Sequence, residues 1–219
     1  MATVDEFLKG IPDLSISAVE EEDVQNRHFL LQHVLRRLPQ ACRTTEGVWM
    51  EFGVHSGTTI RYIAAQAGED KQVFGFDSFE GLPETWRTGY EKGAFDMSGN
   101  LPVVPLNVTL IKGWFADTLL PFLEKHTPKI SFLHIDCDLY SATKFVLDSV
   151  YQYLTPDCTI VFDELVNYDG FDGENGELRA WMEFVASKDI TFVWLGMNGT
   201  IGCSKYGRHQ SVALQLCNR

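Results

Sequence analysis

Basic residues are scarce in this chain of 219 residues, because 18 Lys and Arg stand against 30 Asp and Glu and give a formal net charge of −12. Such a negative surface repels nucleic-acid phosphates and anionic lipid headgroups, which argues against nonspecific binding to nucleic acid or to a membrane. Long apolar runs are also lacking, since no stretch reaches the roughly 18 apolar residues of a membrane-spanning helix. The expected ligand is therefore a small molecule.

The chain also lacks the cysteine spacing of a disulfide framework or a zinc site. Its five cysteines are an odd number without a CxxC pair, which indicates reduced, mostly buried thiols. The first residues include Asp5 and Glu6, where a secretory leader would be basic. We therefore expect a cytoplasmic protein, whose apolar content of 45% is enough for a core without disulfides.

Apolar periodicity predicts an N-terminal helical arm, residues 1–46, followed by one α/β domain, residues 47–219. In the arm, Ser17 and Glu20 have the spacing of a capping box, and Pro39 ends the helix. The domain alternates short apolar runs with helical segments, which is the pattern of a parallel sheet. The predicted strands are Val48–Val54, Gln72–Phe76, Val108–Ile111, Ile130–Ile135, Thr159–Phe162, Ile190–Leu195 and Val212–Leu216. The predicted helices of the domain are Thr58–Ala67, Ala116–Lys125, Ala142–Leu154 and Glu177–Ser187.

The last two predicted strands leave no room for a helix between them, so we expect them to pair antiparallel at one edge of the sheet. The predicted fold is thus α/β, with a seven-stranded, mostly parallel sheet, a C-terminal antiparallel hairpin and helices on both faces. Ligands bind such sheets beyond the carboxyl ends of the strands, near the point where the strand order reverses. Polar residues follow each of the first five predicted strands, and they are the candidates for the site.

A glycine-rich turn and an acidic residue at successive strand ends indicate a nucleoside site. Gly53 and Gly57 flank the first strand-to-helix turn, where a missing Cβ lets the backbone approach a ligand. Asp77 ends the next strand, where it can accept hydrogen bonds from both ribose hydroxyls or, alternatively, cap a helix. Hydroxyl groups beside the turn come from Ser56, Thr58 and Thr59.

Two further residues of this turn narrow the choice of ligand. His55 stands where the dinucleotide fingerprint has the glycine that admits a pyrophosphate, so adenosine fits the turn better than NAD. We interpret His55 itself as a turn residue. Glu51 places a carboxylate just before the turn, where it is a poor neighbour for phosphates and a suitable one for an ammonium or sulfonium group. Both features favour S-adenosylmethionine as the cofactor.

Four carboxylates follow two strands that we expect to be adjacent, namely Asp136, Asp138, Asp163 and Glu164. Such crowding requires a cation, a proton or side chains that diverge. We predict Asp136, Asp163 and Glu164 as ligands of Mg²⁺, which prefers oxygen donors. Asp138 is the candidate catalytic base and Asp136 the second choice. In the alternative, Asp163 caps a helix and Glu164 faces solvent; His134, inside an apolar strand, is interpreted as a core histidine.

Five segments at these strand ends resemble the motifs of class I S-adenosylmethionine-dependent methyltransferases, and more narrowly of the macrocin O-methyltransferase (TylF-like) family. The segments read MEFGVHSGTTI, GFDSFEGLPE, KGWFADTL, HIDCDLYSAT and FDELVNYDGF. The resemblance spans about Arg27 to Val185 and implies the Rossmann-like class I methyltransferase fold. It also implies a divalent ion between an aspartate after the fourth strand and an Asp-Asp pair after the fifth. This chain has Asp163-Glu164 at that pair, which puts the third ligand in question.

The same resemblance implies a position for the cofactor. Glu51 and Gly53 approach its methionine part, and Asp77 holds the ribose. The residues implied to surround the adenosine are Ser78, Phe79, Gly113, Trp114 and Phe115.

Two loops beside the reacting edge, Glu80–Asn107 and Asn167–Gly176, are rich in glycine and aromatic residues. The first is too long for an ordinary connection, and it is either a lid or an excursion packed against the sheet. The N-terminal helix is expected to pack on the sheet or on a second copy of the chain, as a homodimer. The predicted function is Mg²⁺-assisted O-methylation of a small or glycosidic hydroxyl. The alternatives are a metal-independent methyltransferase and an adenosine-binding interaction protein without catalysis.

Overall fold

The computed structural model describes residues 3–14, 28–38, 47–199, 201–202 and 210–217. Its first elements are helices α1 (Val4–Phe7) and α2 (Phe29–Arg37), strand β1 (Val48–Phe52), helix α3 (Thr58–Ala67) and strand β2 (Val73–Asp77). Strand β3 (Val108–Lys112), helix α4 (Phe115–His126), strand β4 (Ile130–Ile135) and helix α5 (Tyr140–Val150) follow. The chain continues with strand β5 (Leu154–Phe162), helix α6 (Gly176–Lys188) and strands β6 (Phe192–Met197) and β7 (Val212–Leu216).

These strands form one sheet in the order β3-β2-β1-β4-β5-β7-β6. Strands β1 to β5 are parallel, whereas β7 is antiparallel to both β5 and β6. The expected seven-stranded sheet with an antiparallel C-terminal hairpin is therefore confirmed. The strand order reverses between β1 and β4, so the carboxyl ends of these two strands border the crevice in which ligands of such sheets bind.

Alternation of side chains along the central strands gives the sheet two apolar faces, because successive residues of a strand point to opposite sides. In β1, Trp49 belongs to the core beneath α2 and α3, whereas Met50 belongs to the core beneath α1, α4, α5 and α6. Every residue of β4 is buried, as expected for a parallel strand that is covered on both faces. Helices thus cover both faces, as the sequence predicts.

The described part of the N-terminal segment packs on this domain. Leu35 of α2 is fully buried in the same apolar cluster as Trp49 and Ile60. Upstream, the amide of Leu14 donates to the carbonyl of Met197 at 2.8 Å, and the amide of Met197 donates to the carbonyl of Pro12 at 2.9 Å. The predicted capping box at Ser17 and the stop at Pro39 lie outside the described residues. The division into an arm and a domain, and a homodimer, stay predictions.

Most predicted boundaries lie within two residues of the observed ones, and the clearest difference is at the start of β5. The helix predicted to run to Leu154 ends at Val150, and β5 begins at Leu154 instead of Thr159. Thr155 precedes Pro156, and a residue before proline is disfavoured in the helical conformation, which explains the early extended chain. In the parts of the chain that the structure describes, no helix is long and apolar enough to cross a membrane.

Candidate active site

A cavity of about 270 Å³ lies beyond the carboxyl ends of β1, β2, β3 and β4. Its volume is just below the range of roughly 300–1,000 Å³ that is typical of small-molecule sites. One wall is the turn between β1 and α3, and another is the segment that leads from β4 into α5. Its lining includes ten of the residues predicted for the site: Gly53, Ser56, Thr58, Asp77, Ser78, Gly113, Trp114, Phe115, Asp136 and Asp138. Glu51, Gly57, Phe79, Asp163 and Glu164 do not line it.

A glycine is required at position 53 because the ends of β1 and β4 come very close together there. Its φ is +92°, and a Cβ built on it would lie 1.9 Å from the carbonyl oxygen of Asp136. No side chain fits at that distance, so only glycine lets β1 and the end of β4 come this close. The amide of Asp136 donates to the carbonyl of Phe52 at 2.9 Å, which fixes the two strand ends to one another.

The Asp77 carboxylate organises the turn that forms the first wall. Its Oδ2 accepts hydrogen bonds from the amides of Val54, at 2.8 Å, and His55, at 2.7 Å. Its Oδ1 accepts from the amide of Phe79 at 2.7 Å. Asp77 therefore fixes the glycine turn to β2 while it lines the cavity, and its Oδ1 still has a second acceptor direction for a ligand.

Glu51 lies beneath this wall, in the core, and not on the cavity surface. Its side chain and that of His134 are both fully buried, and Glu51 Oε1 lies 2.9 Å from His134 Nδ1. His134 Nε2 in turn lies 3.9 Å from Asp163 Oδ1. The short contact makes Glu51 a partner of His134 in the core. The predicted contact of Glu51 with the methionine part of a cofactor stays a prediction.

Opposing influences set the protonation of this buried pair. Burial alone would lower the pKa of His134, but the hydrogen bond to Glu51 and the negative charges of Glu51 and Asp163 outweigh it and raise the pKa. Burial raises the pKa of Glu51, against the lowering effect of His134. The pair therefore holds a proton more firmly than either side chain would hold it in water.

A second group of acidic side chains includes two residues that line the cavity, Asp136 and Asp138, and the buried Glu164 behind them; we call this side of the cavity the reacting end. Asp136, Asp138 and Glu164 each offer a carboxylate oxygen, and these three atoms all lie within 4.8 Å of one another. Two unit charges about 4 Å apart repel by roughly 4 kcal/mol at an effective dielectric near 20. Asp138 and Glu164 are buried and Asp136 is half-buried. A set of oxygen donors in such an environment fits Mg²⁺, which is bound by one or two protein carboxylates and keeps waters.

This set differs from the predicted ligands in one member. Asp138, the predicted base, belongs to it, whereas Asp163 lies outside it with Oδ1 toward His134 and 3.4 Å from Ser211 Oγ, which donates to it. The φ of Asp138 is +60°, so the backbone of this residue is in the left-handed region. With this backbone conformation, a carboxylate oxygen of Asp138 lies within 4.8 Å of one of Glu164.

Glu177 is a buried acid that the sequence analysis did not single out. It lies at the start of α6, it is fully buried, and its Oε1 accepts a hydrogen bond from the amide of Cys137 at 3.0 Å. Burial, together with the charges of Asp136, Asp138 and Asp163, raises its pKa well above the ordinary value of 4.5. The sequence did contain a signal, because Glu177 stands four and seven residues before the core residues Trp181 and Phe184.

The two loops beside the cavity meet through a series of aromatic contacts. Trp86 contacts Tyr168, with ring centroids 5.6 Å apart, and Tyr90 contacts Phe95 at 5.4 Å. Trp86 and Tyr90 contact each other with ring centroids 5.4 Å apart, and the Arg87 guanidinium lies 4.4 and 4.3 Å from these centroids. Phe95 lines the cavity. The first loop therefore packs against the second loop and forms part of the wall of the cavity.

Comparison with protein families gives a match to the family described as "Methyltransferase domain" over residues 50–165. This match spans β1 to the residues just after β5, and thus the whole group of strand ends described above. The chain belongs to this methyltransferase family, which confirms its resemblance to class I methyltransferases. Comparison with curated proteins finds no match.

Solved structures with the same fold agree with this assignment. CalS11, titled a calicheamicin methyltransferase, is 22% identical with a TM-score of 0.61, over 97% of this chain and 89% of its own. The O-methyltransferase NovP is 18% identical with a TM-score of 0.61, over 99% and 95%. The O-methyltransferase TomG from Streptomyces achromogenes is 17% identical with a TM-score of 0.54, over 99% and 86%. At these identities the likeness establishes the fold.

Proposed function

We propose that this methyltransferase moves the methyl group of S-adenosylmethionine to a hydroxyl oxygen of a small-molecule acceptor, with assistance from a divalent cation. One observation carries the proposal. A single cavity has a glycine turn fixed by Asp77 on one side and the carboxylates of Asp136 and Asp138 on the other. A methyl donor and an acidic reacting group thus share the same space.

The wall formed by the glycine turn suits the adenosine part of the cofactor. Asp77 is an acceptor for ribose hydroxyls, and it stands at the end of the strand next to the glycine turn. Trp114 and Phe115, which follow β3, offer apolar surface for the adenine edge. Two solved structures with this fold support the choice of cofactor, since TomG was solved with S-adenosylmethionine and a Bacillus cereus O-methyltransferase with S-adenosylhomocysteine.

The reacting end suits an in-line displacement at the methyl carbon. The acceptor oxygen forms a bond to that carbon as the carbon–sulfur bond breaks, and S-adenosylhomocysteine leaves with a neutral sulfur. Asp138 takes the proton that the hydroxyl loses. Asp136, Asp138 and Glu164 would hold Mg²⁺. When bound there, the ion would lower the pKa of the acceptor hydroxyl. The first loop, through Phe95, limits the access of water to this end of the cavity.

The proposed class of acceptor is drawn from solved structures that share this fold. CalS11 is titled a TDP-rhamnose 3'-O-methyltransferase in calicheamicin biosynthesis, and TomG is titled a participant in tomaymycin synthesis. The activities of these two proteins support a hydroxyl on a sugar or another natural product as the acceptor here. The proposed acceptor is thus a small hydroxylated molecule.

Cofactor binding and transfer are tested in sequence. Calorimetry with S-adenosylhomocysteine should give a one-to-one complex and a raised melting temperature, whereas NAD should give neither. Methyl transfer from radiolabelled S-adenosylmethionine is then measured with TDP-rhamnose and with a catechol, before and after EDTA. Loss of transfer with EDTA and its recovery with Mg²⁺ support metal assistance.

Each alternative predicts a different outcome of this test. Full activity in EDTA would identify a metal-independent methyltransferase. Binding of S-adenosylhomocysteine without transfer to any hydroxylated acceptor would favour an adenosine-binding interaction protein. Binding of NAD in place of S-adenosylhomocysteine would contradict the proposal as a whole.

A further inference from the structure

Glu177 contacts the segment that carries two of the proposed reacting carboxylates. Its Oε1 accepts a hydrogen bond from the amide of Cys137 at 3.0 Å, and Cys137 stands between Asp136 and Asp138. Glu177 itself belongs to α6, a helix that is distant in sequence and packs against α5. One side chain thus joins α6 to the end of β4.

Packing alone does not explain a glutamate at this position. The neighbouring residues Leu178, Ala180 and Trp181 are fully buried and apolar. Glu177 Oε2 is buried and has no hydrogen-bond partner among the residues that the structure describes. Burial of a carboxyl group with one oxygen unsatisfied is unfavourable, and an apolar residue would avoid that cost. A role beyond packing accounts for the acid.

The segment from Asp136 to Asp138 needs an external partner because the sheet ends before it. The amide of Asp136 makes the last backbone hydrogen bond to β1, by donating to the carbonyl of Phe52, to which the Cys137 thiol also donates at 3.8 Å. The next amide is that of Cys137, and Glu177 accepts from it. Asp138 then adopts a φ of +60°, a conformation that costs energy for a residue other than glycine. Glu177 holds the chain at the step between the sheet and this strained residue.

We infer that Glu177 is a positioning residue for methyl transfer. Through the Cys137 amide, it fixes the direction in which the carboxylates of Asp136 and Asp138 point toward Glu164 at the reacting end of the cavity. This inference rests on the proposed function for its effect on turnover. The anchoring of the segment can be measured without any acceptor.

Two substitutions separate the hydrogen bond from the volume of the side chain. Glu177→Gln keeps an acceptor oxygen at the same length, whereas Glu177→Met keeps the length and removes the acceptor. Glu183→Gln is the matched control, because Glu183 lies on the same helix and bonds to Tyr140 away from the cavity. Circular dichroism and the melting temperature show whether each variant is folded.

The first readout is hydrogen exchange of the Cys137 amide, followed by NMR. In Glu177→Met it should exchange faster on the order of tenfold or more, because local opening no longer breaks a hydrogen bond. Glu177→Gln and Glu183→Gln should exchange at the wild-type rate. The inference is overturned if the Cys137 amide of Glu177→Met exchanges at the wild-type rate. It is also overturned if the amide exchanges as fast in Glu177→Gln as in Glu177→Met.

The second readout is turnover with S-adenosylmethionine and TDP-rhamnose. Glu177→Met should lower kcat by on the order of tenfold or more while the KM for S-adenosylmethionine changes little, since misplaced reacting groups slow chemistry. Glu177→Gln, which keeps the acceptor oxygen, should have a kcat close to that of the wild-type chain. A parallel loss of kcat and of cofactor affinity in both variants contradicts a positioning role. If the wild-type chain transfers no methyl group, the proposed function fails, and the exchange measurement still decides the anchoring.

Discussion

Glu51 and His134 face each other across the adjacent strands β1 and β4, with Glu51 Oε1 2.9 Å from His134 Nδ1 and both side chains fully buried. On the other side of His134, Nε2 lies 3.9 Å from Asp163 Oδ1, just after β5. Side chains from three neighbouring strand ends thus lie close together in the core, with one hydrogen-bonding contact, between His134 and Glu51, and one longer ionic contact, between His134 and Asp163. Glu51 and Asp163 thus have His134 as a partner in the core, and the carboxylates of the reacting end form a separate group.

This pair predicts how the free energy of unfolding depends on pH. The pKa of His134 and that of Glu51 are both raised above their ordinary values of 6.5 and 4.5. A folded state that binds more protons than the unfolded state loses stability as the pH rises. The stabilisation is fully present below the unfolded pKa values and is lost as the pH rises through the raised folded values. Urea unfolding in EDTA, at about pH 6 and about pH 9, should therefore give a smaller free energy at the higher pH.

Substitution of one partner identifies the source of that decline. Glu51→Gln removes the nearest carboxylate, so the pKa of His134 should fall and the decline with pH should become smaller. Glu183→Gln serves as the control, because the pKa of Glu183 is lowered by its bonds to Tyr140 and Arg179 and lies below this range of pH. An equal decline in Glu51→Gln and in the wild-type chain would show that the pair is not its cause.

The approach of β1 to the end of β4 predicts a large effect of Gly53→Ala. The added Cβ would lie 1.9 Å from the Asp136 carbonyl oxygen, so the backbone must move. Gly68→Ala is the control, because Gly68 has a similar φ of +89° and a Cβ added there would meet no atom of the described residues within 4 Å. Gly68→Ala should cost about 1–3 kcal/mol, because its φ of +89° with a ψ of 164° is a conformation that residues other than glycine rarely adopt. Gly53→Ala should cost roughly 2 kcal/mol more, measured by urea unfolding, and equal costs would argue against the close approach.

Asp77→Asn is expected to weaken both the turn and cofactor binding. An asparagine has one acceptor oxygen, so it cannot accept the amides of Val54 and His55 on one side and that of Phe79 on the other. Each hydrogen bond to a charged group contributes about 1.5–3 kcal/mol, so the affinity for S-adenosylhomocysteine should fall by roughly tenfold or more. Calorimetry measures the change. Asp70→Asn, at an exposed turn, should leave the affinity unchanged.

The fold could be predicted from the sequence because its signals are local. Short apolar runs separated by helical segments specify parallel strands, and the absence of a helix between the last two strands specifies the hairpin. The start of β5 is the exception. There the apolar periodicity suggests a longer helix, whereas Pro156 disfavours a helical Thr155 and starts the strand early.

The candidate site was predictable as a set of strand ends but not as a set of side-chain directions. Strand order brings Asp136 and Asp163 to neighbouring strands, whatever the local conformation is. The left-handed φ of Asp138, by contrast, depends on a turn that strand periodicity does not report. Glu51 differs, because strand alternation places it on the same buried face as Trp49 and so accounts for its direction into the core.

The last prediction concerns the side chains that bind a divalent cation. Carboxylate oxygens of Asp136, Asp138 and Glu164 lie within 4.8 Å of one another, whereas Asp163 is engaged with His134 and Ser211. Glu164→Gln should therefore weaken binding of Mn²⁺, a spectroscopic substitute for Mg²⁺, by about tenfold or more, because a charged ligand is lost. Asp163→Asn should weaken it less, since its effect passes through His134.

Electron paramagnetic resonance of free Mn²⁺ measures these affinities without an acceptor. Asp148→Asn is a suitable control, because Asp148 pairs with Lys144 on the outer side of α5. The comparison also decides between two ligand sets, since the sequence predicted Asp163 and the geometry favours Asp138. If Asp163→Asn abolishes binding and Asp138→Asn leaves it intact, the carboxylate of Asp163 must turn away from His134 when the cation binds, and Asp138 keeps the role of base alone.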